Sequence, residues 1–174
     1  MKNIGLFYGT STVKTAAIAE KIQQAFGEDK PDLIPIEQAW KSEFETYEHL
    51  IVGVSTWFDG ELPTYWDEIL PELKTLTLKN KTVAIFGLGD QVNYPDNFAD
   101  GIGILSETFE QTGATLIGFT SPEGYTFNRS RAMRADKLVG LVIDVDNQSD
   151  KTDERIKNWV AQLKSIYDKK KPTR

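Results

Sequence analysis

Leu50-Ile51-Val52-Gly53-Val54 is apolar at every position, so a strand built from it has no face that can be left to water. Val83-Ala84-Ile85-Phe86 repeats the pattern, and Ile4, Leu6 and Phe7 begin it near the start of the chain. Strands of this kind need helices on both sides, and the intervening segments supply them. Ala16, Ile18, Ala19, Ile22 and Phe26 recur at helical spacing before Gly27. Trp66, Ile69, Leu70 and Leu73 do the same after Pro63, with Pro71 expected to bend or shorten that helix. Phe98, Ile102, Leu105 and Phe109 precede Gly113, and Ile156, Trp159, Val160, Leu163 and Ile166 form a closing amphipathic pattern across Arg155 to Tyr167. Leu33 to Ile36 reads as a short strand whose Pro35 suits a sheet edge. Thr115 to Phe119 and Leu138 to Ile143 complete the strand set. Alternating strands and helices mean an α/β fold with a parallel sheet, and ligands in such sheets bind beyond the carboxyl ends of the strands.

With 174 residues, 40% of them hydrophobic, the chain is expected to form a single domain over residues 1–168, followed by a basic tail at 169–174. No cysteine is present, which removes disulfides, thiolate catalysis and cysteine-held metals. The only histidine, His49, stands just ahead of the apolar run and reads as a strand-entry residue, which argues against a Ser-His-Asp mechanism. A net charge of −6 disfavours nucleic acid and anionic membrane and favours a basic protein partner. The start lacks the long apolar core of a secretory signal, and the expectation is a cytoplasmic protein.

The segment Gly9-Thr10-Ser11-Thr12-Val13-Lys14-Thr15 joins the first strand to a helix expected to begin at Ala16. A helix start leaves N–H groups without internal partners, and hydroxyls crowd this one. Such an end can hold a phosphate dianion with N–H donors, the helix dipole and hydroxyls. The same residues also describe an ordinary hydroxyl-capped turn. The spacing is not that of a nucleoside-triphosphate loop, because Val13 rather than Gly precedes Lys14, and with one glycine it is not a dinucleotide fingerprint.

Two further loops are expected at the same sheet edge: Ser55-Thr56-Trp57-Phe58-Asp59-Gly60-Glu61, and Leu88 to Asn97 with Gly89, Asp90 and Tyr94. Trp57 and Tyr94 can sandwich a flat heterocycle, each ring adding roughly 0.5–1.5 kcal/mol beyond its buried area. Either ring alone also fits a loop anchor. Phosphate and flat ring together describe a flavin mononucleotide (FMN). Asp59, Glu61, Asp90, Asp96, Asp100, Asp144 and Asp146 would surround it; the alternative is a solvated acidic surface. Negative charge beside a flavin opposes its last electron, as in a low-potential one-electron donor.

The phosphate loop, Ser55-Thr56-Trp57, Gly87-Leu88-Gly89-Asp90-Gln91 with Tyr94-Pro95-Asp96-Asn97-Phe98, and Asp144 to Asp150 together resemble the long-chain bacterial flavodoxins over essentially the whole chain. The resemblance implies a flavodoxin-like three-layer sandwich whose five-stranded parallel sheet has the order 2-1-3-4-5. It implies that residues around Thr120 to Lys137 are the insertion that splits the fifth strand. It further implies that Thr10, Ser11, Thr12, Val13, Lys14 and Thr15 hold the phosphate, and that Ser55, Thr56, Trp57, Phe58, Asp59 and Gly60 line one side of the ring. Leu88, Gly89, Asp90, Tyr94, Asn97 and Phe98 would line the other side, and Asp146 would reach the ribityl chain. A backbone carbonyl at Phe58-Asp59 would turn to accept the flavin N5 proton after one-electron reduction.

The chain departs from the family in carrying Val13 where most members have glycine; some second-copy flavodoxins also lack that glycine. A positive φ there would strain a β-branched residue, whereas an ordinary φ would cost only loop flexibility. A second departure is Asp59, where many relatives have an uncharged residue. The function implied is a monomeric one-electron carrier, not an enzyme, working between a flavin- or ferredoxin-type NADP reductase and acceptor enzymes through an acidic face. The alternative on the same fold is an FMN-dependent NAD(P)H or quinone reductase, which would need one open flavin face. A phospho-receiver module is weaker, since Ser55-Thr56-Trp57 stands where its acceptor Asp would be.

Overall fold

The computed structural model describes residues 2–9, 12–56 and 60–169. Strands β1 (Lys2–Tyr8), β2 (Asp32–Pro35), β3 (Tyr47–Val54), β4 (Thr82–Leu88) and β5 (Thr115–Ile117) lie in the order β2-β1-β3-β4-β5, all parallel. The short pair β6 (Met133–Arg134) and β7 (Lys137–Leu138) forms an antiparallel ribbon, and β8 (Leu141–Ile143) returns to pair with the far half of β4. Thr82 to Ala84 face Thr115 to Ile117, whereas Phe86 to Leu88 face Leu141 to Ile143. The fifth position of the sheet is therefore filled by two segments, with residues 118–140 inserted between them. As the sequence suggests, β2 with Pro35 is an edge strand.

Side-chain alternation sends the two halves of each apolar run to opposite helix layers. Leu6, Ile51, Ala84 and Phe86 pack under α1 (Val13–Ala25) and α5 (Thr152–Lys169). Phe7, Val52, Val83 and Ile85 pack under α2 (Lys41–Thr46), α3 (Thr64–Leu73) and α4 (Asp100–Gln111). Trp66 and Trp159, one on each side, are the largest fully buried side chains. Their indole N–H groups donate to Gly53 O at 3.0 Å and Gly118 O at 2.8 Å, so neither is left unsatisfied. His49 is buried in β3, with Nδ1 2.8 Å from Thr82 Oγ1 and its ring 4.1 Å from that of Tyr167. It is a core residue at the strand's amino end, as the sequence suggested.

Several boundaries differ from the sequence reading. Helix α1 starts at Val13 rather than Ala16, because Thr12 already caps it. The six-residue α2 was not expected: it buries only Phe44, too little to print a helical period. Pro71 is accommodated inside α3 near its end. Gly113, at φ 87°, terminates α4 in the left-handed region that favours glycine. Lys169, the first residue of the expected tail, is the last of α5. No helix among the described residues is long and apolar enough to cross a membrane.

Candidate functional site

The strand order reverses at β1 and β3, and a cleft opens beyond the carboxyl ends of β1, β3 and β4. It is lined by Thr12 and Lys14 from the first loop, Ser55 and Thr56 from the second, Leu88 to Asp90, Tyr94 and Asn97 from the third, and Ala99, Val145 and Asp146. Three loops far apart in sequence thus meet where a doubly wound sheet binds its ligand. Thr10, Ser11, Trp57, Phe58 and Asp59, all expected site residues, lie outside the described residues.

At one end of the cleft Thr12 is the N-cap of α1. Its Oγ1 accepts from Thr15 N at 3.3 Å and lies 3.0 Å from Thr15 Oγ1. Thr15 is buried beneath the turn and so fixes the cap from below. The first turn of α1 carries no acidic side chain, which leaves the positive end of the dipole unopposed. Val13 is a helical residue 87% exposed, and it is not among the described non-glycine residues with positive φ, which are Asn80, Ala99 and Ala135. Valine is therefore unstrained at this position, and it is not among the residues that line the cleft. Lys14 Nζ donates to Asp146 Oδ1 at 2.7 Å, joining two loops 132 residues apart. The hydrogen bond and the charge of Asp146 raise the Lys14 pKa above its ordinary value.

At the other end Tyr94 is half exposed, its N–H donating to Asp90 O at 2.9 Å. Asp90 folds the loop around itself. Its Oδ1 accepts from Val92 N at 3.1 Å and Asn93 N at 2.9 Å, and its Oδ2 accepts from Asn93 Nδ2 at 2.8 Å. Desolvation pushes the Asp90 pKa up, but the hydrogen bonds from Asn93, Asn147 and Val92 together outweigh it and hold the group below the ordinary carboxylate range. Gly89 is required by close approach, since a Cβ there would lie 2.7 Å from the Phe98 ring. Thr56 Oγ1 accepts from Gly101 N at 2.9 Å, so the second loop caps α4. Ala99, at φ 53°, makes the turn into that helix and lines the cleft. Gly60, at φ 87°, lies against Asp100, whose Oδ2 a Cβ would meet at 2.6 Å.

Phe98 does not line the cleft with its side chain. It is fully buried and stacks on Phe127 of the insertion with centroids 4.8 Å apart. Two of the expected rim acids are also internal. Asp100 accepts from Arg131 N at 2.8 Å, and Asp144 is wholly buried among amide donors. Of the other expected acids among the described residues, Asp90, half-buried, and Asp146, exposed, line the cleft, and Glu61 and Asp96 are exposed. Gln91, which the sequence reading passed over as a site residue, is buried between Asp144 and the insertion. Its partners are 53 and 35 residues away, so no local spacing signals it. No group of acids and histidines suited to a metal ion is present among the described residues.

A capped helix start at one end of a cleft and a tyrosine loop at the other, at the switch point of a parallel sheet, define a nucleotide-type binding fold of the doubly wound class. The model of the flavodoxin family matches residues 6–159. A flavodoxin of Nostoc sp. is 51% identical over 166 residues, which cover 95% of this chain and 98% of that protein. The flavodoxin of Synechococcus elongatus is 50% identical over 168 residues, covering 96% and 99%. The flavodoxin of Fusobacterium nucleatum, solved bound to flavin mononucleotide, superposes with a TM-score of 0.91 at 31% identity, covering 95% of this chain and 99% of that one. The chain belongs to the flavodoxin family.

Proposed function

We propose that the cleft holds one FMN without a covalent bond, and that the protein carries single electrons between other proteins and has no substrate of its own. The observation that carries this reading is the cleft's division into a hydroxyl-capped, acid-free helix start at one end and the Asp90–Tyr94 loop at the other. The fit is chemical. A phosphate suits the α1 start, where Thr12 and Lys14 lie with Thr10, Ser11, Val13 and Thr15 adjoining. A flat ring suits the space between Tyr94, Leu88 and Gly89 on one side and Ser55 and Thr56 on the other, and Trp57, Phe58, Asp59 and Gly60, next in sequence, are the further ring ligands of this reading. Asn97 and Phe98 support the Tyr94 side, and Asp146 stands where a ribityl hydroxyl would pass.

Bound FMN supplies the one-electron chemistry; the chain binds the tail, orients the ring and excludes water from its faces. Glu61, Asp90, Asp96 and Asp146 place negative charge near the cleft, which opposes full reduction. They also favour a basic partner surface. An electron carrier needs a donor and an acceptor, and a flavin- or ferredoxin-type NADP reductase fits the donor role, with acceptor enzymes meeting the same acidic face. A monomer in the cytoplasm is part of this reading.

Titration of the apoprotein with FMN and with riboflavin, followed by flavin fluorescence, tests it. FMN is expected to bind in a one-to-one complex and more tightly than riboflavin. A failure of FMN to bind at micromolar concentration would overturn the reading. Rapid NAD(P)H–quinone turnover by the holoprotein alone would replace the carrier with the reductase.

A further inference from the structure

We propose that Gln91 and Asp144 are positioning residues through which the insertion at 118–140 sets the shape of the ring end of the cleft. The inference rests on the FMN reading for its ligand and on buried geometry for its substance. Asp144 directly follows β8, with no exposure to solvent. Its Oδ2 accepts from Gln91 N at 3.1 Å and from Gln91 Nε2 at 2.7 Å. Its Oδ1 accepts from Asn147 N at 3.0 Å. Asn147 Nδ2 then donates onward to Asp90 Oδ1 at 2.8 Å, and Asp90 is the residue around which the Tyr94 loop is folded.

Gln91 faces two ways. While its amide nitrogen and backbone N–H hold Asp144, its Oε1 accepts from the backbone N–H of Thr126, inside the insertion, at 2.7 Å. The insertion is anchored in turn. The Tyr125 hydroxyl donates to Val142 O at 2.5 Å, burial pushes its pKa up to about 12, and the Arg155 guanidinium covers its ring at 4.0 Å. Beyond Thr126, Asn128 N and Arg129 N both donate to Pro95 O, and Phe98 N donates to Arg129 O. The insertion therefore runs along the outside of residues 95–98, with Gln91 as its buried tie to the cleft-lining loop. One glutamine satisfies a buried carboxylate on one loop and a backbone donor on another. Replacing it by an apolar side chain leaves the Thr126 N–H without this acceptor and takes one of several donors from the Asp144 carboxylate, which keeps the Gln91 and Asn147 backbone N–H groups. A buried donor left unmade is the costly direction of the hydrogen-bond asymmetry.

Gln91→Met keeps the volume and removes both side-chain contacts while the backbone N–H stays on Asp144; Asp144→Asn keeps the shape and removes the carboxylate. In Gln91→Met apoprotein, amide exchange at Thr126 and at 91–94 is expected to speed up more than ten-fold, with β1 and α1 unchanged. FMN and riboflavin are both expected to bind about ten-fold more weakly, which corresponds to about 1.4 kcal/mol, because the loss lies at the ring end and spares the phosphate. Asp144→Asn is expected to shift the same amides and both affinities by a smaller factor. Equal loosening of β1 and α1 would show a merely structural role and overturn the proposal. So would unchanged exchange at Thr126, or a loss confined to FMN. If wild-type protein binds no flavin while the exchange pattern holds, the FMN reading fails and the tie between the loops stands.

Discussion

The two ends of the cleft are built by opposite means. The end proposed for the phosphate is built locally: Thr12 and Thr15 are three residues apart, and the Lys14–Asp146 ion pair that ties it to a distant loop joins side chains 54% and 44% exposed. The end proposed for the ring is held by long-range, buried contacts of Asp144, Gln91, Phe98 and the insertion. The difference follows from what each end must recognise. A dianion is held by N–H groups and hydroxyls that any well-formed helix start presents. A planar ring needs two loops kept at a fixed separation, which local turns cannot enforce.

Phe98→Ala is the sharpest way to break the comparison. The ring is fully buried against Phe127 and Tyr125, so its removal is expected to destabilise the protein by about 3–5 kcal/mol in urea unfolding. The added exchange in the folded state should be confined to 88–98 and the insertion. Thr12→Ala attacks the other end. It should cost about 1 kcal/mol through the lost cap, and it should weaken FMN binding while leaving riboflavin binding nearly unchanged, read from paired titrations. Lys14→Met, or Asp146→Asn, should change stability by only about 0–1 kcal/mol, because both partners are exposed and screened. That small effect should vanish in a salt series, whereas the effect of Phe98→Ala should not.

The smallest effect concerns pH. Asp90 has a depressed pKa in the folded state, so its contribution is complete above the unfolded value of about 3.9 and is lost as pH falls through the lower folded value. Exchange at Val92 and Asn93, whose amides it holds, should accelerate over that acid window, and Asp90→Asn should flatten the dependence. Amides of α1 should show no such step.

The same division governs what the sequence reveals. The parallel sheet, the edge position of Pro35 and the hydroxyl-rich start of α1 are legible because apolar runs and capping residues act within a few positions of themselves. Even there, the helix begins at Val13, three residues before the Ala16 from which the helical period reads, since Thr12 completes the cap. Helix α2 and the β6–β7 ribbon were invisible because six residues, or two pairs of residues, carry no period. Asp100 and Asp144 read as surface acids because carboxylates usually are. Only the fold brings Arg131 to one and Gln91 to the other. The connection from Thr120 to Lys137 is too long for a simple turn and leaves open an insertion beside the last strand or a partner-facing loop; the split of the fifth strand itself is legible only through family resemblance.

Absorption spectra of the FMN-loaded protein during stepwise anaerobic reduction test the central claim most directly. A carrier of single electrons predicts that a one-electron-reduced species with its own long-wavelength band accumulates between the oxidised and fully reduced forms. Direct passage from oxidised to fully reduced flavin, with no intermediate spectrum, would contradict it.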